Sequence, residues 1–376
     1  MAKRIAFVIN QLGGIGSGGS DRVVSVLANE FVARGWAVDI LALTGDETID
    51  RDLAPEIAVR FERPIHSSRK PVQVALRMLR GAALVRSYVR EHPDAVVVSL
   101  IAWVNMCTVA GTIGVAHGPV ILSERTDPAS DPSHPLARRL RNACYRRADA
   151  LAFQTPDAQS YFAGLARVPS EVIPNPVSPG LPDWEPAGGD VEIVTAARLE
   201  AEKNIPLLID AFSPIAHADP RARLRVFGGG KLRQQLQDRI DAAGLTESVR
   251  LEGHASDVHQ RMSRASMFVM SSNFEGMPNA LLEAMSMGMP VISVDCPIGG
   301  PRMLIDDDVN GVLVPVGDVA AMSRQMRRLL DDPEAARALG ERAAETREQH
   351  SIAHIADRWE RLFDRTLGET SRSTRV

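Results

Sequence analysis

Two kinds of hydrophobic pattern alternate along this chain. Short apolar runs ("RIAFVIN", "AVDILAL", "AVVVSL", "PVILSE", "ALAFQT") are separated by stretches with helical spacing at about 20–34, 70–91, 105–115 and 134–147. Uniformly apolar strands divided by amphipathic helices predict parallel βαβ units. The pattern breaks at "PVSPGLPDWEPAGGD", whose proline and glycine content reads as a linker. It restarts with "VEIVTAAR", "RLRVFGGG", "VRLEGH", "MFVMSS", "PVISVD" and "GVLVPV", with helical sequence between most of them. The expected fold is α/β, with two Rossmann-like doubly wound domains facing a central cleft. The expected boundaries are 1–178 for the first domain, 179–190 for the linker and 191–350 for the second domain. Residues 351–376 are expected to form a C-terminal helix, open to returning to the first domain, and then a disordered tail, "GETSRSTRV".

Composition narrows the class. A length of 376 residues favours two domains. The 45% hydrophobic and 24% charged residues fit a soluble globular protein, and no apolar window is long enough for a membrane span. "MAKRIAFVIN" reads as a first strand rather than a signal peptide. Cys107, Cys144 and Cys296 lack any metal or disulfide spacing, so buried reduced thiols in a cytoplasmic protein are expected. The net charge of −4 hides an asymmetry: residues 1–180 carry +3 and the remainder −7. No acidic residue occurs from Arg63 to Arg90, where Arg69, Lys70, Arg77, Arg80 and Arg86 also fall. At helical spacing Val74, Met78, Val85 and Val89 share an apolar face, while Arg69 and Arg80 point away from it. Such a helix either packs its apolar face on the first sheet or attaches the protein to an anionic inner-leaflet surface. Arg138, Arg139, Arg141, Arg146 and Arg147 add to the basic character of this half. No aromatic interleaving supports nucleic-acid binding.

Ligands of open parallel sheets sit beyond the carboxyl ends of the strands. Four such ends in the second domain carry groups suited to a nucleoside diphosphate. Arg198 and Lys203 follow its first strand, as cations that can neutralise a diphosphate leaving group. They can equally be surface charge, with Lys203 near Glu200 or Glu202. Gly229 lies in the "GGG" run after the second strand, and Gly253 ends the third. "SSNFEGMPNALLEAMSMGMPVI" brings Glu275, Gly276, Met277, Pro278, Asn279 and Glu283 across a loop and into a helix. Pro278 suits the first turn, and the free amides of a helix start suit a phosphate. Each carboxylate can accept hydrogen bonds from vicinal hydroxyls, or one can merely complement the helix dipole.

These segments, with "NGVLVPVGD", resemble the donor domain of the family 4 retaining glycosyltransferases, of the type that builds bacterial surface or lipid-linked glycans and adopts the GT-B fold. The likeness runs through nearly all of 191–320. It is looser in "GGSDRVVSVLANEFVARGWAVDILAL" and "VIPNPV". The resemblance implies transfer of a hexose or N-acetylhexosamine from a nucleotide diphosphate sugar, UDP preferred, to a glycan or polyprenyl-diphosphate-linked acceptor. It implies that Glu275, Arg198 and Lys203 act in catalysis and that Glu283 holds the ribose. No metal or other cofactor is expected, because "DDD" at 306–308 reads as a turn. The expected location is cytoplasmic, with peripheral attachment to the membrane face left open. A GT-B-fold sugar-nucleotide epimerase or phosphorylase, or a non-catalytic nucleotide-sugar-binding protein, is the alternative.

Two segments are less regular. Gly14-x-Gly16-x-x-Gly19 matches the dinucleotide fingerprint. However, its loop starts several residues after the strand, and Asp39 is a poor candidate for the ribose because it falls inside a predicted strand. The resemblance assigns Gly18 and Gly19 to the sugar diphosphate instead. Many family members carry a His after the strand that aligns with "PVILSERTDP"; here the neighbourhood offers Glu124, Arg125 and Asp127. These are the candidates to meet acceptor or donor sugar. Arg125 can bind an acceptor phosphate or pair with Asp127.

Overall fold

The computed structural model describes residues 3–13, 19–44, 52–62, 71–165, 168–187 and 191–373. The chain divides into two compact units, Met1–Pro176 with Ile352–Val376, and Val177–Ser351.

The first unit is a seven-stranded parallel sheet with β-order 3-2-1-4-5-6-7. Its elements are β1 (Arg4–Ile9), α1 (Gly19–Ala33), β2 (Ala37–Ala42), β3 (Ala58–Phe61), α2 (Pro71–Glu91), β4 (Val96–Leu100), α3 (Ala102–Thr112), β5 (Val120–Glu124), α4 (Pro135–Tyr145), β6 (Ala150–Phe153), α5 (Pro156–Phe162) and β7 (Ser170–Val172). The central strands are buried on both faces, as continuous Val, Ile and Ala runs require. Strand order reverses between β1 and β4, which are paired neighbours. Ile101, just beyond β4, has φ 71°, a conformation costly for a β-branched side chain. Asp39 lies within β2, where Arg4 (2.6 Å) and Tyr88 (2.7 Å) take up its carboxylate. It is therefore already satisfied and does not present itself to a ribose.

The second unit holds a six-stranded parallel sheet with β-order 10-9-8-11-12-13. It comprises β8 (Val191–Ala196), a single 3-10 turn (Ala201–Lys203), α6 (Ile205–Ala218), β9 (Ala222–Phe227), α7 (Arg233–Ala242), β10 (Val249–Gly253), α8 (Val258–Met262), β11 (Met267–Met270), α9 (Asn279–Ser286), β12 (Val291–Val294), α10 (Gly300–Leu304), β13 (Val312–Val314), α11 (Val319–Asp331), α12 (Pro333–Ala343) and α13 (Thr346–Gln349). Here the order reverses between β8 and β11. The Pro-rich segment is docked on this unit. Trp184 donates from its backbone to Met287 O (2.7 Å) and from its indole to Ala265 O (2.8 Å).

The last helix, α14 (Ile352–Ser373), belongs to the first unit. Its Trp359, Leu362 and Phe363 enter the core with Phe31 and Trp36 of the α1–β2 segment. Trp36 donates its indole N–H to Glu360 (2.9 Å). Three expectations are corrected. The segment from Gly368 to Ser373 is helical rather than disordered, because no proline stops α14 once its apolar face has docked. The apolar face of α2 is buried only in its second half, at Val85, Tyr88 and Val89, whereas Val74 is exposed. Arg141 is fully buried rather than part of a basic surface. Of the basic segment, Arg63, Arg69 and Lys70 lie outside the described residues. Cys107 and Cys296 are buried and Cys144 is half-buried. No described helix is long and apolar enough to cross a membrane.

Candidate active site

The reversal between β8 and β11 gathers the candidate residues of the second unit at one strand edge. After β8 the chain makes its 3-10 turn and passes Asn204 at φ 45°. Hydrogen bonds tie that turn to the end of β11. Asn273 N donates to Glu202 O (2.8 Å), Asn204 Nδ2 to Asn273 Oδ1 (2.9 Å), and Ser271 Oγ to Lys203 O (2.9 Å). The turn therefore holds Lys203 against Glu275, Nζ to Oε1 at 2.5 Å, with both side chains largely buried. Ser272 Oγ donates to the same oxygen (2.7 Å), and the Glu275 amide donates to Pro297 O (2.9 Å). Burial, reinforced by the Glu275 charge, pushes the Cys296 thiol up to about 12.

Arg198 sits apart from that pair. Its guanidinium is more than half exposed and bonds Glu202 at 3.1 Å. A surface ion pair of this kind contributes roughly 0.2–1 kcal/mol, so an anion can compete with it. Glu200 pairs with Lys231 (3.5 Å). The alternative partners proposed for Lys203 are thus taken by other cations, and its own partner is Glu275.

Glu283 lies in α9 and is buried. Oε1 accepts from Ser178 Oγ (2.9 Å), and Oε2 lies 3.0 Å from His259 Nε2. Ser178 and His259 thus hold the two oxygens of this buried carboxylate in place. Pro278 precedes α9 and gives its start no side-chain cap. Met277 turns its side chain into the core, and Asn279 opens the helix. The carbonyl of Gly276 lies 2.0 Å from where a Cβ on Gly300 would stand, so only glycine lets these loops meet. Gly229 O accepts from Leu199 N (2.9 Å), and Gly253 O accepts from Gly228 N (2.7 Å), joining the ends of β8, β9 and β10. Gly253 has φ 78°, and a Cβ on Gly229 would meet the His254 ring at 2.9 Å.

In the first unit, Gly19 begins α1, whereas Gly18 lies outside the described residues. The trio after β5 separates. Glu124 is turned inward, where Tyr145 donates to it (2.8 Å) and Arg141 lies 4.0 Å away; burial pushes its carboxyl up. Asp127 accepts from Ala129 N (2.9 Å) and Ser130 Oγ (2.6 Å), which closes a turn. Arg125 binds neither carboxylate through its guanidinium. It donates to Ser123 Oγ (2.9 Å) and to Asn175 Oδ1.

Sequence reasoning did not single out Asn204, Asn273, Ser178, His259 or Asn175. The signal for Asn273 was visible in "SSN" at a strand end, where Asn favours turn hydrogen bonding. The other four act through contacts distant in sequence. Among the described residues no cluster of three or more His, Cys, Asp or Glu is arranged to hold a metal ion.

Comparison with known proteins agrees with this architecture. One family model, described as Glycosyltransferase Family 4, matches residues 17–181, and another, Glycosyl transferases group 1, matches residues 182–346. The chain belongs to the family 4 glycosyltransferases, with two Rossmann-like units of GT-B type. It is 32% identical over 219 residues to an exopolysaccharide phosphotransferase of Streptomyces coelicolor, covering 57% of this chain but only 23% of that protein. It is 26% identical over 371 residues to a Campylobacter jejuni enzyme named as a GalNAc-alpha-(1->4)-GalNAc-alpha-(1->3)-diNAcBac-PP-undecaprenol alpha-1,4-N-acetyl-D-galactosaminyltransferase, covering 96% of this chain and 98% of that one. The fold also matches a sucrose-phosphate synthase of Thermosynechococcus elongatus, with a TM-score of 0.85 at 18% identity over 98% of this chain and 100% of that chain.

Proposed function

We propose that this protein transfers a hexose or N-acetylhexosamine, with retention, from a UDP-sugar to a glycan or polyprenyl-diphosphate-linked acceptor. The observation that carries the reading is the Lys203–Glu275 pair, fixed by loop hydrogen bonds at the β8–β11 reversal, with the exposed Arg198 on the loop after β8. The diphosphate of the donor lies at the start of α9 and draws on Arg198 and Lys203. Glu283 accepts the two ribose hydroxyls, and Glu275 accepts a hydroxyl of the sugar. As the bond from the anomeric carbon to the diphosphate breaks, the negative charge that builds on the leaving oxygen is met by the two cations without need of a metal. The acceptor hydroxyl attacks from the same face and gives its proton to that oxygen. UDP is preferred over GDP because of the family resemblance rather than any single residue.

Calorimetry with UDP, GDP, ADP and NAD tests the donor half. UDP or GDP is expected to bind, with affinity falling at least about tenfold in Glu283→Ala, the loss expected when a buried carboxylate–hydroxyl contact is removed. NAD binding untouched by that change would return the opening glycines to a dinucleotide role.

The first unit supplies the membrane-facing part of the reading. In the first half of α2, Val72 is 78% and Leu79 69% exposed, and Leu76 is exposed beside Arg80. On α4, Leu136 and Leu140 are exposed beside Arg138 and Arg139. Apolar side chains flanked by arginines suit an anionic lipid surface. Cosedimentation with phosphatidylglycerol vesicles is expected to retain the protein. Leu76→Ser with Leu79→Ser should cut the bound fraction several-fold. Equal recovery with neutral phosphatidylcholine vesicles would refute a charge-assisted attachment.

A further inference from the structure

Among the described residues of the first unit two arginines are buried, and they differ in one respect. Arg141 has Glu124 at 4.0 Å and donates to Pro128 O (2.8 Å) and Asp131 O (2.7 Å), so its charge is compensated within the fold. Arg125 is 9% exposed, and among the described residues no carboxylate approaches its guanidinium within salt-bridge distance. Nε donates to Ser123 and Nη1 to Asn175, both neutral, and Nη2 has no partner among the described residues. Burial without a counter-charge pushes the guanidinium down to about 10, so it is still a cation at neutral pH. A buried unpaired charge is expensive to keep. A fold that only needed to fill this volume would be better served by an apolar side chain.

The surroundings aim this cation. Arg125 follows β5, Gln154 follows β6, and Asn175 lies just beyond β7. Asn175 Oδ1 accepts from both Arg125 Nη1 and Gln154 Nε2 (2.8 Å), so three adjacent strand ends fix the guanidinium plane. This is the carboxyl edge of the sheet, where ligands bind. A planar fork with one edge tied down and one terminal nitrogen left over matches an anionic oxygen.

We propose that Arg125, oriented by Ser123, Gln154 and Asn175, is a phosphate-binding residue of the first unit that takes an oxygen of the acceptor's diphosphate. The assignment to an acceptor rests on the transferase reading above; the anion site itself does not. Glu124 and Asp127 take no part in it, because their carboxylates serve internal partners.

The test titrates inorganic diphosphate into the full chain, followed by calorimetry and thermal unfolding, with Arg125→Met, Arg198→Ala and the double variant. The second unit offers diphosphate its own cations, so each single variant is expected to remove one of two binding contributions and the double variant both. In the Arg198→Ala background, Arg125→Met should weaken the remaining binding at least tenfold. Without diphosphate, Arg125→Met should unfold at the wild-type temperature or above it, an outcome a purely structural arginine would not give. Asn175→Asp guards against misfolding in Arg125→Met. It hands the guanidinium an internal carboxylate, which should weaken diphosphate binding and raise thermal stability. Undiminished binding in Asn175→Asp and in Arg125→Met overturns the proposal while leaving the donor site standing. Loss of all binding in Arg198→Ala alone overturns it as well. If Arg198→Ala changes nothing and Arg125→Met abolishes binding, the donor reading fails and the anion site survives. Repeating the titration with a polyprenyl diphosphate in detergent micelles and with UDP separates the sources. The polyprenyl compound should lose affinity in Arg125→Met and UDP should not; a loss confined to UDP overturns the assignment to the acceptor.

Discussion

Glu275→Ala is expected to lower the rate of sugar transfer by about a hundredfold or more, in the range seen when a preorganised polar group at a reacting centre is removed. The argument rests on position. Glu275 stands after β11, its Oε1 is shared by Lys203 (2.5 Å) and Ser272 (2.7 Å), and its backbone is tied to Pro297. A carboxylate held this way loses little entropy when it accepts a sugar hydroxyl. Nucleotide binding should survive, because the ribose is assigned to Glu283, so calorimetry with UDP and initial rates of transfer read different residues. Lys203→Met should cost a similar factor, and the double variant little more than either single one, since two groups in direct contact are not additive. Normal turnover in Glu275→Ala would remove the pair from the mechanism. Additive losses would mean that the two residues act on different parts of the donor.

Arg141→Ala is expected to destabilise the first unit by about 3–5 kcal/mol, the cost of removing one partner of a buried charge pair. Its guanidinium lies 4.9 Å from the Phe162 ring centroid and satisfies the carbonyls of Pro128 and Asp131. Without it, Glu124 stays buried with its hydroxyl donors but no cation. For a unit of this size the loss corresponds to a fall of roughly 10 °C in unfolding temperature, followed by circular dichroism or calorimetry. Adding Glu124→Gln should recover part of it, because the neutral amide no longer needs the cation. An unchanged melting temperature in Arg141→Ala would show that the network carries no stability. This variant contrasts with Arg125→Met, for which no loss is expected, although both arginines are buried in one unit.

That contrast marks what the sequence could and could not reveal. The alternation of apolar runs and helical spacing predicted both sheets, because strand and helix periods are local properties. The Glu275–Glu283 segment is legible as a candidate ligand site for the same reason: loop, helix start and carboxylates are contiguous. Lys203 and Glu275 meet only because β8 and β11 are neighbours, and strand order leaves no local trace. "LARRLRNACYRRADA" looks like a uniformly basic surface, yet Arg141 is drawn inside by Glu124 and by carbonyls of the preceding loop. The α2 pattern predicted one continuous apolar face. The structure buries only its second half, where Tyr88 bonds Asp39 of β2 and Val85 lies against Gly111 of α3. The tail "GETSRSTRV" is expected to be disordered, yet α14 runs on to Ser373 beyond the docked Trp359 and Phe363.

The return of α14 to the first unit has a consequence for the order of events during synthesis. Val177 N donates to His350 O (2.8 Å), so the second unit begins and ends at one place and its whole sequence is available before α14 emerges. The first unit, though translated earlier, lacks Trp359 and Phe363 against Phe31 and Trp36 until then. Domains fold as units once their chain is available. The sequence of the second unit is therefore available before α14 can supply the aromatic partners of Phe31 and Trp36, so the α1–β2 part of the first unit is closed by residues that follow the whole second unit.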